Sequence, residues 1–117
     1  MTVTQMLIVA GGLDSSGRLL ASSEVYQYPA GEVWRAVADL PSPRWGASGA
    51  SLAGLFYVVG GYDGRGYLDD VVVYDNFTDT FTSAGQLTAP RYKHAVTEVP
   101  WRAVAHYCTA ETNVTKF

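Results

Sequence analysis

LFYVVGGYDGRGYLDDVVVYDNFTDTF, residues 55–81, decides the fold. Its first five residues are continuously apolar, and Gly60-Gly61 closes the run. A segment this short, stopped by two glycines, reads as a strand packed on both faces and not as a helix. Asp70 to Tyr74 is rich in β-branched valine and reads as the next strand. Phe81 to Ala84 gives a short last strand, after a polar loop over Asp75 to Thr80 that offers Asp and Asn to turn hydrogen bonds. Upstream, Ala47 to Leu52 alternates small and polar residues and ends at the turn Ala53-Gly54. Four short strands in succession, with no helical periodicity between them, predict an all-β unit.

The unit is repeated. LIVAGG at Leu7 to Gly12 returns as FYVVGG at Phe56 to Gly61, 49 residues on. EVYQY at Glu24 to Tyr28 returns as DVVVY at Asp70 to Tyr74, 46 residues on. Trp34 is matched by Phe81, and LPSPR ending at Arg44 by LTAPR ending at Arg91, both at a spacing of 47. Four landmarks in one order at nearly one spacing define a repeat, and four antiparallel strands per repeat of this length describe the blade of a β-propeller.

Taken together, the Gly-Gly pair, the tyrosine, the spaced aromatic and the repeat length resemble the kelch repeat, and most closely that of the kelch-like adaptors that carry a BTB domain. The resemblance runs from about Leu7 to Val99. Phe81 stands where that family usually has Trp, and Pro29 follows Tyr28 where Asp is usual. The expected architecture is a partial kelch-type propeller. Residues 1–46 hold strands two to four of one blade, 47–93 a complete blade, and 94–99 the inner strand of a third. Residues 100–117 form a divergent tail, in which WRAVA at Trp101 to Ala105 copies Trp34 to Ala38. Propellers use 4–8 blades. Two blades leave apolar faces to be covered, so the expectation is a segment of a longer protein, a truncated product without function, or copies that assemble to complete a ring.

Each landmark has a physical role to fill. Gly11, Gly12, Gly60 and Gly61 let the backbone take positive φ or approach another segment closely as the strand leaves the sheet. Tyr28, Tyr74, Trp34 and Phe81 are expected to pack between blades. Loops on a rigid scaffold are where binding is normally built, and Tyr, Trp and Arg dominate binding hot spots. The candidate partner-binding residues are therefore Tyr62, Arg65 and Tyr67 on one loop, with Arg44, Trp45, Arg91, Tyr92 and Lys93 on the segments that join blades. For Arg44 and Arg91 the competing reading is a guanidinium spent on loop carbonyls or on a carboxylate.

Composition removes several other functions. The net charge is −3, with 8 basic and 11 acidic side chains, so no basic face for nucleic acid is expected. No run approaches the roughly 20 apolar residues of a membrane helix. Cys108 is the only cysteine, which suits a reducing, cytoplasmic setting. Asn76-Phe77-Thr78 and Asn113-Val114-Thr115 match the glycosylation pattern and are expected to go unused. His106 and Cys108 lack zinc spacing, Ser15, Ser16, Ser22, Ser23 and Ser51 lack a nucleophile context, and His94 reads as structural. Asp63, Asp69, Asp70 and Asp75 lack calcium-loop order and are expected to serve turns. No metal, cofactor or catalytic residue is expected, which also sets aside an oxidase-like propeller. The resemblance implies protein recognition: substrate capture for a cullin-based ubiquitin ligase in a longer protein, or attachment to actin and the cytoskeleton.

Overall fold

A computed structural model describes residues 5–29, 31, 33–97 and 99. Among them, seven strands make two antiparallel sheets and there is no helix. The first sheet holds β1 (Gln5–Ala10), β2 (Ser23–Tyr28) and β3 (Trp34–Val37) in that order. The second holds β4 (Ser48–Leu52), β5 (Leu55–Tyr62), β6 (Tyr67–Asp75) and β7 (Thr80–Gln86), again in chain order. Each sheet is an up-and-down meander, in which consecutive strands are neighbours. The β4–β5 turn places Ala53 at φ 53° and Gly54 at φ 82°. Two successive positive φ values make the primed turn whose twist suits a hairpin.

β5 runs three residues past its expected end at Val59. The glycine pair does not terminate it. The register shifts between Val59 and Gly61, and pairing resumes with Tyr62 opposite Tyr67. This irregularity bends the strand and re-aims its last residues, as β-bulges do at sheet ends.

The repeat needs a correction of register. Leu7 pairs with Tyr26 and Phe56 with Tyr74; Tyr26 pairs with Trp34 and Tyr74 with Phe81. The rings follow, with Tyr26 and Trp34 centred 5.5 Å apart and Tyr74 and Phe81 5.0 Å apart. The counterpart of Tyr74 is therefore Tyr26, not Tyr28. Tyr28 sits at the strand end opposite Gln5, before a cis bond to Pro29, and is exposed. Tyr26 and Tyr28 share one face of the strand because side chains alternate with period two.

The two sheets meet across an apolar seam of Leu40, Val58 and Val72, with Ala10, Ala21, Ala47, Phe56 and Phe81 packed around it. Phe81 packs in this seam and Tyr74 is buried against its ring, while Trp34 lies on the opposite side of the first sheet and is 46% exposed. A second tie lies at the β6–β7 turn. The Asp79 carboxylate accepts the backbone N–H of Ala38 at 2.9 Å and the Tyr74 hydroxyl at 2.8 Å. Burial, and then that carboxylate, push the Tyr74 phenol up to about 12. The Ala38 N–H and then the Tyr74 hydroxyl hold Asp79 below the ordinary carboxylate range.

His94 to Thr97, expected to begin an inner strand, form none. A strand requires a ladder partner, and by the repeat that partner falls beyond residue 99, outside the described residues. The tail over 100–117, with His106 and Cys108, also lies outside them.

Candidate functional site

The glycine pairs and the arginines that follow each repeat form one device, built twice. After β3 and after β7 the chain turns back toward the bend in its own sheet. There the N–H of Gly12 donates to the Arg44 carbonyl at 2.8 Å, and that of Gly61 to the Arg91 carbonyl at 2.9 Å. The Arg44 N–H donates in turn to Leu20, and the Arg91 N–H to Leu68. A Cβ on Gly11 would lie 2.7 Å from the Arg44 carbonyl oxygen, and one on Gly60 2.6 Å from that of Arg91. Both glycines also sit at positive φ, 71° and 64°. Only glycine meets both demands.

The Arg44 side chain closes the junction. It is 1% exposed, and it donates to both carboxylate oxygens of Asp70, at 2.9 and 3.2 Å. It also donates to the Ser42 hydroxyl at 2.9 Å and reaches the Gly60 carbonyl at 3.4 Å. Planar, forked geometry suits this bidentate pair. Arg44 therefore leaves the partner-binding set: a buried guanidinium already shared between two repeats is not free for a ligand. The Arg91 side chain has no such carboxylate among the described residues, and its buried Nε has no hydrogen-bond partner there.

The same junction delivers an aromatic cluster to the surface. The Trp45 N–H donates to the Tyr62 carbonyl at 2.9 Å and the Tyr62 N–H to the Trp45 carbonyl at 2.8 Å, fixing the first connector to the end of β5. The Lys93 N–H donates to the Gly46 carbonyl at 2.6 Å, which brings the second connector alongside. As a result Tyr67 and Tyr92 stack, centred 4.7 Å apart with ring planes 7° apart. Tyr62 lies 5.5 Å from Tyr67 and 6.3 Å from Tyr92, and Trp45 lies 5.7 Å from Tyr92. The Lys93 ammonium rests 4.8 Å from the Trp45 ring centre and 5.8 Å from that of Tyr92, within cation–π range.

The loop between β5 and β6 is held by Asp63. Its carboxylate accepts the N–H groups of Arg65 at 2.8 Å and Gly66 at 2.9 Å, and these bonds lower its pKa. Asp14 does the same in the first repeat, for Ser16 and Arg18. With Asp63 turned into its own loop, the exposed charges beside the rings are cationic: Arg65 and Lys93.

The Kelch motif model matches residues 43–87, which span the second half of the first connector and all of the second sheet. An F-box/kelch-repeat protein of Arabidopsis thaliana is 38% identical over 91 residues, covering 75% of this chain and 24% of that protein. Kelch-like protein 7 of Rattus norvegicus is 33% identical over 103 residues, covering 88% of this chain and 15% of that protein.

This chain carries kelch repeats.

The solved structure of YjhT superposes on the fold with a TM-score of 0.62 at 23% identity, covering 77% of this chain and 27% of that one. The architecture is accordingly all-β, a partial kelch-type propeller, and the kelch chain spans a quarter or less of the length of either relative. Kelch repeats shared with such proteins make it a protein-interaction module.

Of the predicted binding residues, Trp45, Tyr62, Tyr67, Tyr92 and Lys93 gather at one end of the second sheet. Arg65 stands exposed on the loop beside them, and Arg91 contributes its backbone to the junction. Two residues that tie the sheets together are not marked in the sequence. Asp70 reads there as a turn residue, and Asp79 as part of a polar loop. No repeated residue marks Asp70 in the sequence, because its register counterpart in the first repeat is Ser22. Among the described residues, no group of three or more His, Cys, Asp or Glu side chains could hold a metal.

Proposed function

We propose that this kelch chain presents a protein-recognition surface at the end of its second sheet, centred on Tyr62, Tyr67, Tyr92 and Trp45. The carrying observation is the four-ring cluster, assembled from one loop and two connectors that the Gly-pair junction holds in place. Rigid aromatic rings supply large contact area at low entropic cost, and Tyr, Trp and Arg are the types that carry interface energy. Lys93 and Arg65 at its edge favour a partner with acidic residues beside an apolar contact.

Within a longer cytoplasmic protein, this surface recognises substrates for a cullin-based ubiquitin ligase. Support for that reading comes from similarity to an F-box/kelch-repeat protein and to a kelch-like protein.

Affinity capture followed by mass spectrometry, with the native chain compared against a Tyr67→Ala/Tyr92→Ala variant of matched fold, tests it. The expected result is a protein partner together with cullin components, both lost with the two rings. Recovery of F-actin without ligase components would transfer the surface to a cytoskeletal role. Equal capture by both forms would remove the cluster from recognition.

A further inference from the structure

The β1–β2 loop of the first repeat touches the β5–β6 loop of the second. Leu13 bridges Leu19 in the first repeat as Tyr62 pairs with Tyr67 in the second, so the two leucines stand where the two tyrosines do. A Cβ on Gly64 would lie 3.0 Å from the Leu19 Cδ1, and among the described residues it would meet nothing else within 4 Å beyond its chain neighbours. Gly64 sits at φ 95°. Only glycine suits that backbone and leaves room for the leucine. The Gly64 carbonyl accepts the Tyr62 hydroxyl at 3.1 Å. A path of contact therefore runs from the first repeat, through Leu19 and Gly64, to the ring of Tyr62.

The path starts from a fixed point. The Leu20 N–H donates to the Gly12 carbonyl at 2.9 Å, and the Leu20 carbonyl accepts the Arg44 N–H at 3.1 Å, so Leu19 adjoins a residue tied into the Gly-pair junction. The Asp14 carboxylate accepts the N–H groups of Ser16 and Arg18, both at 2.9 Å, and fixes the loop from its other side. In the second repeat, Asp63 holds the N–H groups of Arg65 and Gly66, and the Trp45 backbone holds that of Tyr62. Gly64 lies between these ties with no side chain to anchor it. What braces it is Leu19.

We propose that Leu19 is a positioning residue for the Tyr62 ring, a role that rests on the recognition surface proposed above. By bracing Gly64 from the neighbouring repeat, Leu19 holds the carbonyl to which Tyr62 donates. That sets the Tyr62 ring against Tyr67 and Tyr92. The surface is then a joint product of both repeats, because a side chain of the first governs a ring of the second.

NMR of the ring protons in the full chain, read beside capture from one cell lysate, tests this. Leu19 is half-buried and outside the seam, so its truncation leaves the sheets joined. Leu19→Ala should shift the Tyr62 ring signals and weaken capture about three- to thirty-fold, the range for a residue that acts through another. Leu19→Met, which refills the space, should restore both. Tyr62→Phe keeps the ring and removes the hydroxyl. It should weaken capture as Leu19→Ala does, and the two changes together should cost no more than either alone. Signals of Val58 and Val72 in the seam should stay in place throughout. If Leu19→Ala moves them, Leu19→Val, shorter by a methylene, is read in its place. Unmoved Tyr62 signals overturn the proposal, and so do losses of capture that add. Capture that survives Leu19→Ala but falls with Tyr67→Ala/Tyr92→Ala also overturns it, and leaves the recognition surface standing. Capture that ignores all of these variants overturns the recognition surface and the role of Leu19 with it.

Discussion

The Arg44 guanidinium, 1% exposed, donates to both carboxylate oxygens of Asp70 at 2.9 and 3.2 Å. The two residues belong to successive kelch repeats and lie 26 positions apart in the chain. Their pairing does two things. It neutralises a charge buried between the sheets, and it fixes the segment after Arg44, which carries Trp45 into the aromatic cluster. Arg44 looks by sequence like a binding residue because it follows the last strand and starts a loop. Its chemistry is used up inside the fold, and what reaches the surface is the residue beside it.

Gly60→Ala should be costly, and Gly66→Ala should not. At Gly60 a methyl group would stand 2.6 Å from the Arg91 carbonyl at a φ of 64°. Left-handed backbone costs a non-glycine residue about 1–2 kcal/mol, and displacing that carbonyl weakens the Gly61–Arg91 bond by about 1 kcal/mol more. Gly66 has nothing within 4 Å of its would-be Cβ. Urea unfolding of the two variants should show a loss of about 2–3 kcal/mol for the first and less than about 0.5 for the second.

The tie between Asp79, Tyr74 and Ala38 gives stability a pH dependence at both ends. Asp79 has a lowered pKa in the fold, so the unfolded chain takes up its proton first as pH falls. Its contribution is present above the ordinary carboxylate value of 3.8 and disappears as pH drops through the lowered folded value. Tyr74 is raised, so its contribution is complete below pH 10 and is lost as pH climbs toward about 12. Denaturation midpoints measured against pH should fall on both sides. Asp79→Asn should flatten the acid limb, and Tyr74→Phe should remove one late-titrating phenol from the alkaline absorbance curve.

Tyr67→Ala and Tyr92→Ala should leave the sheets intact, because neither ring belongs to the seam. Each should weaken partner binding by about 2 kcal/mol, the size expected of an aromatic hot spot. Lys93→Ala should act more through association rate and salt dependence than through residence time, as an exposed rim charge does. Calorimetry and kinetic binding assays with a captured partner would separate these effects.

Much of the fold was legible in the sequence because kelch landmarks repeat. The apolar run ending at Gly60-Gly61 and the valine-rich Asp70 to Tyr74 each announced a strand. The pairing register was less legible. Tyr26 and Tyr28 lie on one strand face, so either could match Tyr74 by spacing, and only the ring contact with Trp34 selects Tyr26. At the candidate site, the loop aromatics were visible as exposed-type residues in turns. The use of Arg44 was not, because its partner lies in another repeat and sequence proximity carries no sign of it. Asp79 was hidden for the same reason, since its partner N–H on Ala38 belongs to the first repeat.

The Arg44–Asp70 pair locks the two repeats into one unit. The most direct test is a double-mutant cycle with Arg44→Met, Asp70→Leu and the combined variant, followed by urea unfolding. Asp70→Leu strands the buried guanidinium and should cost about 3 kcal/mol; Arg44→Met leaves a carboxylate that is one-third exposed and should cost less, while the combined change should cost far less than the two added together. The predicted coupling is about 2 kcal/mol or more. Additive losses would contradict the claim, leaving the two sheets joined by their apolar seam alone.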